Sequence, residues 1–391
     1  MSQPGRRFMI PSPEILIVAG EASGDLHGGA LVRALRERRP GLRFFGIGGD
    51  RMSESGVQLI RHVREMSFLG FFEVVRHLPF IRRVFGEIVG AMESRKPALA
   101  VFIDYPGLNL KLALQAKKRN IPVVYYVSPQ VWAWGRGRVP KIAERVDKML
   151  VLFDFEEPIY REAGLDVVFT GHPLKDTVRP SQSRAEFFRN LHLDPDKPLL
   201  GLLPGSRKQE VQRLLPAMTG AVRLLKRDLP GLQAVLAAAP TLPDQVYHPF
   251  TDGDDSIRTV RGRTYEVMAY SNAALVASGT ATLETALSGT PMVILYRMSP
   301  VSYWIGRRLV RMPYIGLANI VAGKKVAPEL LQNDAVPEKI RAAGLPYFTD
   351  KALAESVKGE WAEVGRKLGP AGASGRAAEE ILKTLDERGG K

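Results

Sequence analysis

The chain has 391 residues, long enough for two domains with separate cores, and it is 45% hydrophobic and 25% charged, as globular proteins are. Its 55 Lys and Arg against 41 Asp and Glu leave a formal charge of +14, which favours an anionic partner: nucleic acid, anionic membrane or a phosphorylated ligand. The absence of cysteine excludes disulfides, thiol nucleophiles and Cys-ligated metal or iron–sulfur sites.

Ile15–Gly20 reads as a buried strand, and Glu21 follows too soon for a signal peptide. No uncharged apolar run is long enough to span a bilayer. The strand opens into the turn Gly20-Glu21-Ala22-Ser23-Gly24-Asp25 before helical spacing through Leu35, and a second strand ends in Gly46-Ile47-Gly48-Gly49-Asp50. Neither turn is a Walker loop or a dinucleotide Gly-x-Gly-x-x-Gly. Each is either a tight turn or one wall of a ligand crevice in a doubly wound sheet. Met66–Val89 is apolar nearly all round, with Phe71, Phe72, Phe80 and Phe85, yet Glu73, Arg76, Arg82 and Arg83 interrupt it. Two readings stand: a greasy, basic-edged surface for anionic lipid or an acyl chain, or core helices that turn at Pro79.

Ala98–Ile103 is a further strand, ending on Asp104 and the turn Tyr105–Asn109. A carboxylate there is either a general base with a pocket-tuned pKa or the cap of the next helix. After the strand Val123–Val127, the loop Ser128–Arg138 carries Gln130, Trp132, Trp134, Arg136 and Arg138. Its tryptophans either meet a sugar, phosphate or headgroup or pin the loop to the core. Strands at Val146–Phe153 and Val167–Thr170 and the turn Gly171-His172-Pro173 close this half.

Asp176–Lys197 is a polar connection with a short helix. Leu199–Leu203 is a strand leading into Pro204-Gly205-Ser206-Arg207 and a long helix, where the helix start and a guanidinium could grip a diphosphate; alternatively Arg207 is a surface charge. Asp252-Gly253-Asp254-Asp255 has the Asp-x-Asp form of metal-dependent sugar transfer but sits in a polar connection and reads as a solvated loop. Six scattered histidines give no ligand-like pairing, so no metal site is expected. Ala274–Ala277 is a strand, Gly279 a sharp exit, and Thr280 the cap of a two-turn helix to Leu287, which Gly289 and Pro291 end before the strand Met292–Tyr296. That helix start presents free N–H groups to an anion, and Glu284, about one turn further in, could accept from both hydroxyls of a ribose. Strand–turn–helix units of this kind also recur in α/β proteins without a ligand. Ile315–Gly323 is a Gly-flanked turn with one amide, Asn319; Gly369–Gly375 breaks the terminal helices, and Arg376–Glu387 forms the last.

Taken together and in order, these segments carry a resemblance. They are Gly20–Asp25, Leu69-Gly70-Phe71-Phe72-Glu73-Val74, Ile103-Asp104-Tyr105-Pro106 with Asn109, and Tyr126–Trp134. In the second half they are Gly171–Leu174, Leu203–Arg207, Glu210-Val211, Ala277–Glu284, Tyr296-Arg297-Met298, and Asn319 with Gly323. From Ile15 to about Leu331 the chain resembles the lipid-A-disaccharide synthases, inverting glycosyltransferases of the GT-B architecture. The resemblance implies an α/β fold with two doubly wound Rossmann-like domains facing a central cleft. Residues 1–175 would be the acceptor and lipid domain, with the terminal helix 376–391 packing back on it, and residues 176–375 the UDP-sugar domain.

The activity implied is transfer of 2,3-diacylglucosamine from UDP to 2,3-diacylglucosamine 1-phosphate (lipid X), in lipid A biosynthesis for the lipopolysaccharide of the Gram-negative outer membrane. No cofactor and no metal are implied. The enzyme would be cytoplasmic and peripheral to the anionic inner-membrane surface, with no nucleic-acid partner and a homodimer as a candidate assembly. By the same resemblance Asp104 is the general base. Gly205, Ser206 and Arg207 with Ser278, Gly279 and Thr280 hold the diphosphate, Glu284 the ribose, and Tyr296 and Asn319 line the nucleotide side. Glu21, Ser23, Asp25, Phe71, Phe72, Glu73, Asn109, Gln130 and Trp132 belong to the acceptor and lipid side. One departure is Gly107, where the family often has a second acid, which leaves Asp104 the sole carboxylate of its turn. A UDP-sugar epimerase or hydrolase of the same architecture is the alternative, though it would have no use for a greasy Met66–Val89. A basic non-enzymatic protein would explain the charge but not Asp104 or two anion-binding helix starts.

Overall fold

The computed structural model describes residues 13–66, 78–133, 135–251, 256–298 and 312–389. The chain forms two compact units, one of Met1–Pro173 with Pro370–Lys391 and one of Leu174–Gly369.

In the first unit, apolar runs too short for helices become strands: β1 (Glu14–Ala19), β2 (Arg43–Gly48), β3 (Val57–His62), β4 (Leu99–Ile103), β5 (Val123–Tyr126), β6 (Lys148–Val151) and β7 (Asp166–Phe169). Among the described residues they form one parallel sheet in the order β3-β2-β1-β4-β5-β6-β7. The chain winds outward from β1 to β3, then crosses back to β4, so the winding direction reverses between β1 and β4. Every residue of β4, β5 and β6 is buried, because helices cover both faces of the sheet. One of these helices, Leu78–Arg95, inserts Val84, Ile88 and Met92 into the core, with Phe80, Ile81, Phe85 and Val89 packed around them. From Phe80 to Val89, therefore, the apolar residues are core. Pro79 lies in the first turn of that helix, where its missing N–H costs nothing. Phe71, Phe72, Glu73 and Arg76 lie outside the described residues, as does Trp134.

The terminal helix Ala373–Gly389 packs against the helix Ala22–Arg38 of the same unit and buries Ala377, Ala378 and Ile381 completely. Arg376 donates to the carbonyl of Thr170 at 2.8 Å, and buried Lys148 sits between Asp166 (3.2 Å) and Glu380 (2.9 Å).

The second unit repeats the plan with β8 (Leu199–Leu203), β9 (Gln233–Ala238), β10 (Ile257–Arg261), β11 (Ala273–Ala277), β12 (Met292–Tyr296) and β13 (Glu329–Leu331). Their parallel order is β10-β9-β8-β11-β12-β13, and here the winding reverses between β8 and β11. The expected turn over Ile315–Gly323 contains a short helix, Leu317–Ala322, which Gly323 ends at φ +76°. Asp252–Asp255 lies outside the described residues. Among the described residues no helix is long and apolar enough to cross a membrane.

Candidate active site

Open parallel sheets leave a crevice at the carboxyl ends of the strands where the winding reverses, and ligands bind there. In the first unit that place lies between β1 and β4, and Asp104 is the residue that leaves β4. Asp104 and Tyr105 both have left-handed backbones, φ +47° and +45°, and Val127, which leaves the adjacent β5, has φ +64°. Such conformations cost about 1–3 kcal/mol each for non-glycine residues and persist only where the surroundings enforce them. Here the enforcement is visible. The Asp104 carbonyl accepts from the Asn109 amide at 2.8 Å and from the Tyr125 hydroxyl at 2.5 Å, and its N–H donates to the Tyr126 carbonyl at 3.0 Å. Gly20 at the end of β1 leaves room for the Tyr105 ring, which any Cβ there would strike.

Burial pushes the Asp104 carboxyl up to about 6, the nearby Glu21 carboxylate adds to the rise, and the Tyr105 amide partly opposes it. The following helix, Pro106–Lys118, has Tyr105 at its cap position and no side-chain cap, so Asp104 does not serve it in that way. The carboxylate is left with a neutral-range proton affinity, as a general base needs.

The other acceptor-side candidates separate into distinct roles. Glu21 and Ser23 are exposed at the start of the helix Ala22–Arg38, and Gln130 is exposed on its loop. Asp25 is buried, and its carboxylate accepts from the N–H groups of Gly49 (2.6 Å), Met52 (3.0 Å) and Arg51 (3.1 Å); it caps the next helix and has little left for a ligand. Asn109 is fully buried and spends its amide N–H groups on the carbonyls of Ile103 and Asp104, so it shapes the Asp104 turn from beneath instead of lining an acceptor surface. The Trp132 indole N–H donates to Glu156 at 3.1 Å, and the ring meets Phe153 and Phe155 edge-on, which pins the loop to the core.

Sequence reasoning passed over Glu156. It is 2% exposed, accepts also from Ser128 (2.5 Å) and the Phe153 N–H (3.1 Å), and burial pushes it up to about 7 against the pull of these donors. In Asp154–Glu157 it looks like one more surface acid, and only its place at a helix start hints otherwise.

In the second unit the reversal lies between β8 and β11, and Gly205–Arg207 and Ser278–Thr280 are the turns that leave them. With Leu203, Ala237, Ala239, Pro240, Thr264, Met268 and Glu284 they wall a cavity of about 330 Å³. Gly279, not Thr280, occupies the cap position of the helix Thr280–Leu287; its φ of +146° with ψ −159° is a region essentially reserved for glycine. Gly205, at φ +105°, lets the backbone close over Glu210.

Arg207 begins the helix Lys208–Asp228 and is exposed, but its guanidinium pairs with Glu210 at 2.8 Å; an exposed pair of this kind is worth about 0–1 kcal/mol and opens readily. Glu284 receives the Tyr265 hydroxyl at 3.1 Å, and burial holds its carboxyl above the usual range. Ser206 is exposed, while the Ser278 hydroxyl donates to the Ile315 carbonyl at 3.0 Å.

Tyr296 and Asn319 are not among the described walls of the cavity. Tyr296 is half-buried at the end of β12, within the influence of Arg207 and Glu210, with burial as the main force raising its phenol. Asn319 is fully buried, and its amide is used up locally. It donates to Ala327 (2.8 Å) and Glu329 (2.9 Å) and accepts from Val326 and Ala327 (3.0 Å each), so it builds its own loop and offers no free polar atom to a nucleotide.

Comparison with known proteins bears on the family and the fold. A family model described as lipid-A-disaccharide synthetase matches residues 15–370. The lipid-A-disaccharide synthase of Syntrophus aciditrophicus is 48% identical over 95% of this chain and 97% of its own length, and that of Geobacter sulfurreducens is 44% identical over 96% and 98%. Among solved structures, the calicheamicin glycosyltransferase CalG4 aligns over 96% of this chain and 99% of its own, with TM-score 0.62 and 17% identity. A UDP-GlcNAc 2-epimerase from Neisseria meningitidis bound to UDP-GlcNAc aligns over 96% and 100%, with TM-score 0.59 and 12% identity. These two likenesses show the fold alone. On the family match and the relatives, the chain belongs to the lipid-A-disaccharide synthases, glycosyltransferases of the GT-B fold.

Proposed function

We propose that this chain transfers the 2,3-diacylglucosaminyl group of a UDP donor to the primary hydroxyl of 2,3-diacylglucosamine 1-phosphate, with inversion and without a metal ion. The observation that carries the reading is Asp104, a carboxylate held in a strained turn at the end of β4 with its pKa raised to about 6. Its oxygen takes the hydroxyl proton as the acceptor oxygen attacks C1 of the donor. The bond from C1 to the β-phosphate oxygen breaks, UDP leaves with the electron pair, and attack from the opposite face gives the β-linked disaccharide 1-phosphate.

Charge growing on the leaving diphosphate is met by the N–H groups at the start of the helix Thr280–Leu287 and by Arg207 once it turns from Glu210. Glu284 accepts from the ribose hydroxyls. Glu21, Ser23 and Gln130 remain as exposed groups for the acceptor. The charge of +14 suits phosphorylated substrates and the anionic cytoplasmic face of the inner membrane, to which we assign the enzyme as a peripheral protein. A homodimer belongs to the same reading, and sedimentation equilibrium would test it.

The test is to incubate the protein with both substrates in detergent, with and without EDTA, and to follow the disaccharide by mass spectrometry. Disaccharide that persists in EDTA, with Asp104→Asn lowering kcat by about 10²–10⁴-fold while UDP still binds, is the expected result. A folded, UDP-binding protein that makes no disaccharide would overturn the reaction. An active Asp104→Asn variant would remove the base, and loss of product in EDTA would remove metal independence.

A further inference from the structure

The Glu284 carboxylate forms part of the wall of the 330 Å³ cavity and is partly taken from water. Such a group is stable only if donors replace the water it has lost. The hydrogen bond given to it among the described residues comes from the Tyr265 hydroxyl, 3.1 Å from Oε1. Tyr265 stands on a different element, the helix Thr264–Tyr270, whose start also contributes Thr264 to the cavity wall.

We propose that Tyr265 is a positioning residue of the donor site. By binding Oε1 it fixes the carboxylate plane and turns Oε2 into the cavity, so that Glu284 selects a ligand carrying a vicinal diol over one lacking a hydroxyl. This inference rests on Glu284 meeting the ribose. A carboxylate with one oxygen bonded to Tyr265 has acceptor capacity to spare, and the two hydroxyls of a ribose would fill it. A carboxylate left to rotate would meet either hydroxyl poorly, and discrimination would fall before affinity does.

Calorimetric titration with UDP and with 2′-deoxy-UDP tests this. Wild-type protein should prefer UDP by about 10–100-fold, the worth of a charge-assisted hydrogen bond. Glu284→Ala should bring the preference to unity, and if it leaves the preference intact, the placement of Glu284 on the ribose is wrong. With that control in hand, Tyr265→Phe should reduce the preference by about 3–10-fold while the affinity for 2′-deoxy-UDP stays at the wild-type value. The unchanged 2′-deoxy-UDP affinity reports that the pocket is folded. Equal weakening of both ligands in Tyr265→Phe, or an unchanged ratio, overturns the positioning role even where Glu284→Ala behaves as expected.

Discussion

Asp104 joins two features that oppose stability, a left-handed backbone and a carboxylate pushed up by burial, and Asn109 and Tyr125 hold that backbone through its carbonyl. The raised pKa has consequences of definite sign. The base we propose Asp104 to be must be ionised, so kcat/KM should fall as the pH drops through about 6. The Glu21 carboxylate contributes to the rise, so Glu21→Gln should move that acid limb to lower pH, which a pH–rate profile of the variant would reveal. For stability the folded state binds the Asp104 proton more tightly than the unfolded chain. Ionisation therefore withdraws stability as pH rises from about 4 to about 6, and Asp104→Asn should be more stable than wild type at neutral pH by up to about 3 kcal/mol, but not at pH about 4, as urea titrations at the two pH values would measure. At this scale the positions of Asp104 and Arg207 after apolar runs, and of Glu284 one turn into the next helix, are readable along the chain, while the roles given to them are proposals. The sequence did not carry Glu156, Tyr125 or Tyr265, whose importance comes from partners on other elements. Asp25 and Asn319 look like ligand groups along the chain, but the fold supplies protein partners for the carboxylate and the amide, and Asn109 spends its N–H groups in the same way.

The elements that mattered most are the turns leaving β8 and β11. Gly279 lies in a conformation that a side chain rarely adopts, yet nothing crowds the position where a Cβ would stand. Gly279→Ala should therefore act through the backbone alone, costing about 1–3 kcal/mol and turning the first N–H groups of the helix Thr280–Leu287 away from the cavity. Weaker binding of UDP with little change in Asp104 titration is the expected outcome; unchanged UDP affinity would mean that this helix start does not hold the diphosphate. Elements read correctly were the continuous apolar strands β1, β4, β5, β8, β11 and β12, because central parallel strands are buried on both faces. The strands that escaped notice were β3, β10 and β13, at sheet edges with mixed or very short patterns, and β9, whose alanines read as well for a helix.

At the scale of the whole molecule, the terminal helix Ala373–Gly389 returns to the first unit after the chain has built the second. Its pairs Arg38–Glu379 and Arg39–Asp386 are exposed and contribute little, whereas Ile381 and Leu385 are buried. Removing residues 370–391 should cost the first unit about 3–6 kcal/mol from those two side chains alone and lower its melting transition, while the transition of the second unit stays in place in a calorimetric scan. The sequence by itself determined the class of fold, the two-part plan and the family, because strand–glycine–helix units and their order are local and survive reading along a line. Tertiary structure alone decided that Asp104 leaves β4 beside the end of β1, and that Gly205–Arg207 leaves β8 beside Ser278–Thr280 at the end of β11. It also decided that Phe80–Val89 is core and that Glu284 has Tyr265 for a partner. Each of these depends on strand order or on contacts between distant segments, which hydrophobic periodicity does not encode.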